Sequence, residues 1–314
     1  MPRKVLDGVR PFNEFQFKSC FYHQLIAGLG CFGNDGFRLF YSQFLQVSEG
    51  FGTKDRMLSA GKEGKLVGYR LRRMTLTGSR LQKEIDYGHP LLVAVDCYDL
   101  KHRKDTYLKK HAPHFILLYG YDTDRDIGYI VDHYFENGTD YAPRETSLSE
   151  LLEINAKYRA GSGRGKTGCM ALSPAKPCSE KRCRKIVYGG AERARQSLSA
   201  LLCNLSRLGE LLSAGDPALS ENYAAAENFL RAMRTSRLSL AKIDLIRAVP
   251  GAEENLKAAV GGYNYFLSLL WKYHASGDAG FLFRHGERIA NKLSALADSE
   301  KFFAERIEKE RTYA

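Results

Sequence analysis

The sequence predicts an α+β domain followed by an all-α helical bundle. Three observations carry that reading. Strand-like runs crowd into the first half and stop recurring after Gly190. Leucines at helical spacing dominate the second half, from Leu198 onward. Between the halves, Pro174–Arg184 is rich in proline and charge and reads as a linker, with a boundary near residues 175 to 188.

In chain order, the first signal is Phe17-Lys-Ser-Cys-Phe-Tyr-His-Gln-Leu25, where Cys20 opens an apolar helical run. A thiol at a helix start lies near unpaired N–H groups and the positive end of the helix dipole, and both favour the nucleophilic thiolate. The glycine-rich stretch 28–36 ends that helix. Cys31 lies within the stretch and is a weaker nucleophile candidate, since no apolar helix begins there. Leu66–Arg72 reads as a strand, Thr75–Ile85 as a helix, and Leu91–Val95 as a buried strand ending at Asp96. A basic, aromatic loop follows, Cys97–His111, with Tyr98, Asp99, His102 and Tyr107.

His114–Tyr121 and Ile127–Asp132 then read as two strands joined by the polar turn 122–126. As a hairpin they put His114 and Asp132 at the same end, and on one face if the pairing is symmetric about the turn. A slip of one residue would separate them. Together with Cys20 they form a nucleophile, a base and an orienting group: His114 takes the thiol proton and Asp132 holds the imidazole.

Cys20 at a helix start, Gly88-His-Pro-Leu-Leu-Val-Ala-Val-Asp96, and His114-Phe-Ile-Leu-Leu-Tyr-Gly-Tyr-Asp122 followed by Val131-Asp132 resemble the papain-like N-terminal domain of the butirosin-biosynthesis acyltransferase (BtrH) family. The same residues are similar, more distantly, to cysteine peptidase domains that process bacteriocin leaders. The resemblance spans roughly residues 10 to 175. It implies a papain-like catalytic domain over 1–180 and a helical domain over 181–314. It also implies an acyl, aminoacyl or peptidyl group passed from a carrier-protein thioester to Cys20 and then to an amine, with His114 as base and Asp132 as orienter. The peptidase relatives place an oxyanion-donating glutamine shortly before the cysteine. Here Gln16 and Asn13 are both candidates, Asp96 is kept as a substrate-side candidate, and the Cys20 backbone N–H can contribute.

Other chemistry finds less support. Ser147 caps a helix running to Tyr158, with Glu150 three residues on. Behind it, Ala160-Gly-Ser-Gly-Arg-Gly-Lys-Thr167 imitates a phosphate loop, but follows a helix where such a loop follows a strand. No cofactor site is expected. Seven cysteines without framework spacing exclude a disulfide scaffold, and Cys178 with Cys183 lacks the further ligands of a zinc site, so no metal is expected. No apolar run of about 18 residues exists, so no membrane partner is expected. The N-terminus has no signal-peptide core, which makes cytoplasmic localisation the expectation.

The net charge of +11, from 47 Lys and Arg against 36 Asp and Glu, favours an acidic partner. No nucleic-acid motif accompanies it. An acidic acyl or peptidyl carrier protein and a small amine acceptor are the expected partners.

In the second half, helices are expected over Leu198–Leu212, from an Asp216-Pro217 cap through Tyr223, Leu230, Met233, Leu240 and Ile243, over 253–274, and around Ile289–Phe303. Their leucine stripes are core, and His274 and His285 are structural. The leading function is a cysteine acyltransferase. The alternatives are a hydrolase (peptidase or thioesterase) on the same triad and a non-catalytic binding module.

Overall fold

A computed structural model describes residues 3–42, 44–54, 60–133, 140–161, 168–214 and 218–313. The imitation phosphate loop at 162–167 and the 216–217 cap lie outside them. The chain divides into two compact units, Met1–Gly36 with Ala60–Pro177, and Phe37–Ser59 with Cys178–Ala314. An α+β unit and a helical unit result, and the described residues 37–42 and 44–54 group with the helical one. The reason is apolar burial. Leu45, Val47 and Phe51 enter the helical core, and the Asn204 side chain donates to the Ser48 carbonyl at 2.8 Å.

In chain order the first elements are β1 (Arg3–Val5), α1 (Cys20–Leu29), β2 (Gln46–Ser48), β3 (Gly52–Lys54), α2 (Ala60–Val67), β4 (Tyr69–Met74) and α3 (Gly78–Asp86), with β2 and β3 belonging to the helical unit. Then come β5 (Leu91–Asp96), β6 (Pro113–Asp122), β7 (Ile127–His133), β8 (Tyr141–Ser147), α4 (Leu148–Gly161) and β9 (Cys169–Pro174). Strands β2 and β3 form their own hairpin. The rest make an antiparallel sheet in the order β4-β9-β5-β6-β7-β8, with β1 pairing the far end of β6. Leu81, Ile85, Leu91, Val93, Ile116 and Leu118 sit in its core at full burial.

Two local expectations need correction. The strand expected at 66–72 starts at Tyr69, because Leu66 and Val67 close α2 and Gly68 reverses the chain at φ +99°. A Cβ on Gly68 would lie 2.8 Å from the Ala175 carbonyl oxygen, so only glycine makes that turn. The expected linker 174–184 is in large part helix: Ser179 precedes α5 (Glu180–Gln196), which buries Cys183, Val187, Gly190 and Ala191. Prolines at 174 and 177 stop at its threshold, and charge on its outer face masks the apolar stripe. In addition, β8 carries no strand signal in the sequence. It is the sheet's edge and contains Pro143, a residue tolerated only there.

The β6–β7 hairpin decides where the site forms. From the turn, Asp122 pairs Ile127 and Gly120 pairs Tyr129, but Leu118 pairs Ile130. Without that bulge at Tyr119, Asp132 would fall opposite Leu117 and face away from His114. The extra residue shifts the register by one, so that Asp132 falls opposite Ile116 and shares the His114 face. Gly120 permits the bulge: a Cβ there would lie 2.8 Å from the Lys4 carbonyl oxygen of β1.

The helical unit continues with α6 (Leu198–Ala214), α7 (Ala218–Leu240), α8 (Asp244–Arg247), α9 (Ala252–Ser276), α10 (Ala279–Phe283) and α11 (Gly286–Tyr313). The leucine stripes read from the sequence are its core. Ile243, expected inside the second helix, instead sits buried as the residue before α8. Within the core, Arg237 of α7 bonds Glu300 of α11, and the Tyr263 hydroxyl of α9 donates to the same carboxylate at 2.8 Å.

Candidate active site

Cys20 is the first residue of α1, and the chain before it is held from several sides. Ser19 is extended, while Lys18 takes φ +55°, a left-handed conformation unfavourable for a non-glycine residue. The Lys18 ammonium lies 4.8 Å over the Tyr22 ring and 3.8 Å from Glu63. Imidazole His23 clamps the same segment: its Nδ1 lies 2.9 Å from the Phe12 carbonyl oxygen and its Nε2 accepts from the Phe17 N–H at 2.9 Å. Burial lowers its pKa and keeps it neutral, the form both bonds need.

His114 is on β6, next to the residue at which the strand begins, and is 4% exposed. Its Nε2 lies 2.7 Å from Asp132 Oδ1, which leaves Nδ1 for its hydrogen bond to Cys20. Asp132 is fully buried, yet its carboxylate accepts three hydrogen bonds. Besides His114, the His133 backbone N–H donates to Oδ1 at 2.7 Å and His102 Nε2 donates to Oδ2 at 2.6 Å. Rings also stack behind the site: His114 on His133 at 5.4 Å, His133 against Tyr141 at 4.3 Å, and Tyr141 on His23 at 4.9 Å.

Electrostatics follow from this geometry. Burial pushes the Cys20 thiol up, but the hydrogen bond and charge of His114, with the N–H groups of Phe115 and Phe21, outweigh it and leave its pKa below the usual value. Burial pulls the His114 imidazole down, whereas the Asp132 charge and hydrogen bond and the contact with Cys20 lift it to about 9. Burial raises the Asp132 carboxyl, and the two histidines overcome this and hold it far below the carboxylate range. A lowered thiol facing a raised imidazole has the signature of a thiolate–imidazolium pair. Burial drives Cys31, Cys97 and Cys183 up to about 11 and Cys169 to about 12, so Cys20 stands apart from them.

The secondary candidates fall elsewhere. Asn13 is committed to backbone, donating to the Tyr141 carbonyl and accepting from the Tyr141 N–H, both at 2.8 Å. Asp96 is an acceptor that caps the following loop through Tyr98 N–H, Ala112 N–H and His111. A carboxylate so engaged supplies no oxyanion donor. Gln16 is exposed. The N–H groups of Phe21 and Phe115 do point at the Cys20 sulfur. His114, Asp132 and His133 also bring potential ligand atoms within 4.8 Å of one another, but the His114–Asp132 hydrogen bond already occupies the facing pair.

His102 was not legible as a site residue. It sits in a loop 30 residues before Asp132, and no spacing rule links the two. Gln24, one helical turn after Cys20, is fully buried with both amide atoms lacking a partner among the described residues. Such a group costs on the order of 1–3 kcal/mol. Gln24→Met, of similar volume, should therefore raise stability by about 1 kcal/mol or more in urea titration. A decrease would show that the amide is satisfied in solution.

These features define an α+β domain in which a helix-start thiol faces an imidazole–carboxylate pair. Residues 39–133 match the family model described as butirosin biosynthesis protein H, N-terminal. Over that stretch the chain is similar to this family, as the sequence resemblance implies. The matched stretch contains His114 and Asp132 and begins after Cys20. No curated protein matches the chain.

Proposed function

We propose that the protein is a cysteine acyltransferase that takes an acyl, aminoacyl or peptidyl group from a carrier-protein thioester and delivers it to an amine. One observation carries this reading: the Cys20 thiol is lowered against a His114 imidazole that Asp132 holds at 2.7 Å. The butirosin H match supports a biosynthetic acyl transfer in particular.

In the first half-reaction the Cys20 thiolate attacks the thioester carbonyl. The new S–C bond forms, the bond to the carrier sulfur breaks, and the departing thiolate takes the proton from His114 Nδ1. In the second, the amine attacks acyl-Cys20, His114 Nδ1 accepts the amine proton, and the Cys20 thiolate leaves. Helix α1 supplies its positive end to the oxyanion. Asp132 stays ionised and holds the ring.

The experiment is incubation with an acyl-pantetheine or acyl-carrier-protein thioester, with and without a small amine. Amide formed only with amine present is the expected result. Free acid at the same rate in either case would identify a hydrolase on the same residues. No turnover of any thioester, together with a Cys20 inert to iodoacetamide, would identify a binding module.

A further inference from the structure

We infer that His102 is a positioning residue for the reaction centre: it fixes the Asp132 carboxylate from the oxygen that His114 does not use, and ties the basic loop after β5 to that carboxylate. The inference rests on Cys20, His114 and Asp132 forming the reaction centre.

Asp132 has two oxygens in a site without solvent exposure. Oδ1 receives His114 Nε2 and the His133 N–H, each at 2.7 Å, and Oδ2 receives His102 Nε2 at 2.6 Å. An aspartate side chain has a soft terminal torsion, so a carboxylate bonded through one oxygen is free to rock. With His102 in place both oxygens are pinned, and the His114 ring inherits that orientation. Removing His102 leaves a buried carboxylate oxygen without its donor, which is costly in a dry site.

The loop that carries His102 is braced on its own account. Asp96 caps it through Tyr98 and Ala112, Arg103 pairs with Asp105 at 2.8 Å, and the Thr106 hydroxyl donates to the Cys97 carbonyl at 3.3 Å. His102 is only 18% exposed and reaches inward, while Lys101, Lys104, Lys109 and Lys110 lie on the exposed side. The loop therefore has a solvent-facing cationic surface and one imidazole in contact with the carboxylate behind His114. Besides His102 and His114, the ionisable groups around this carboxylate among the described residues include His133, Arg103, Cys97, Tyr141 and Cys20.

The test compares His102→Gln, whose terminal amide nitrogen falls where imidazole Nε2 lies, with His102→Asn, whose amide stops short of Asp132, and with His102→Ala. Two readouts are taken: kcat and KM for amide formation, and the pH dependence of Cys20 alkylation by iodoacetamide. For Ala and Asn, kcat should fall about 10- to 100-fold, the range for losing the partner of a site ligand. KM should change little, and the alkylation profile should move to higher pH. For Gln, both readouts should return to within about threefold of the parent. Parent-like kcat and alkylation profile in the Asn variant would overturn the inference. Gln no better than Asn, at unchanged melting temperature, would overturn it too. If Ala does not fold, the Gln–Asn comparison still decides. Alkylation needs no acyl substrate, so a parent protein that transfers nothing refutes the proposed function while leaving the His102 result readable.

Discussion

His114→Ala should lower amide formation by about 10⁴-fold, because it removes the proton carrier for both half-reactions at once. The thiol should change with it. In the parent, Cys20 ionises below its ordinary value because His114 outweighs the burial that pushes it up. Without the imidazole, burial remains and the support is lost. The iodoacetamide rate of the variant should then rise only at higher pH, above the usual thiol value of 9.0. The sign is the opposite for the parent's acid function. His114 sits at about 9, so its proton is present at neutral pH and lost as pH rises past that value. Transfer should fall there even though the thiolate persists. Stopped-flow alkylation and a pH–rate profile check both limbs, and a variant with parent-like alkylation would contradict the ion pair.

The second large effect lies in the helical unit. Arg237 and Glu300 are 5% and 1% exposed and bond only within a dry core. Glu300→Ala leaves a buried guanidinium without its carboxylate and strands the Tyr263 hydroxyl. The expected cost is about 3–5 kcal/mol. Replacing both partners, as in Arg237→Leu with Glu300→Met, should cost much less, since no charge is left unpaired. Urea titrations of the three proteins measure this, and equal losses for the single and double variants would contradict it.

These two regions were not equally legible in the sequence. Leucine spacing marks the bundle helices because each buries one stripe, whereas α5 was hidden by its charged outer face. Strands β5, β6 and β7 are apolar throughout and stand out; edge strand β8 is polar and carries Pro143, so it does not. His114 and Asp132 could be placed at one end of a hairpin, but a symmetric register was not what joined them. The bulge at Tyr119 did that, and a bulge is a tertiary consequence of β1 crossing at Gly120. Nor could the sequence tell that Asn13 is spent on the Tyr141 backbone, or that His102 reaches Asp132. Both are contacts between segments far apart in the chain, set by packing and not by any local periodicity.

The central claim concerns the Cys20 sulfur. Intact-mass and peptide mass spectrometry after incubation with an acyl-carrier-protein thioester, without amine, measures it directly. The account predicts one acyl adduct on the peptide containing Cys20, discharged by adding amine and absent from Cys20→Ala. An adduct on another cysteine, or transfer by Cys20→Ala at the parent's rate, would contradict it.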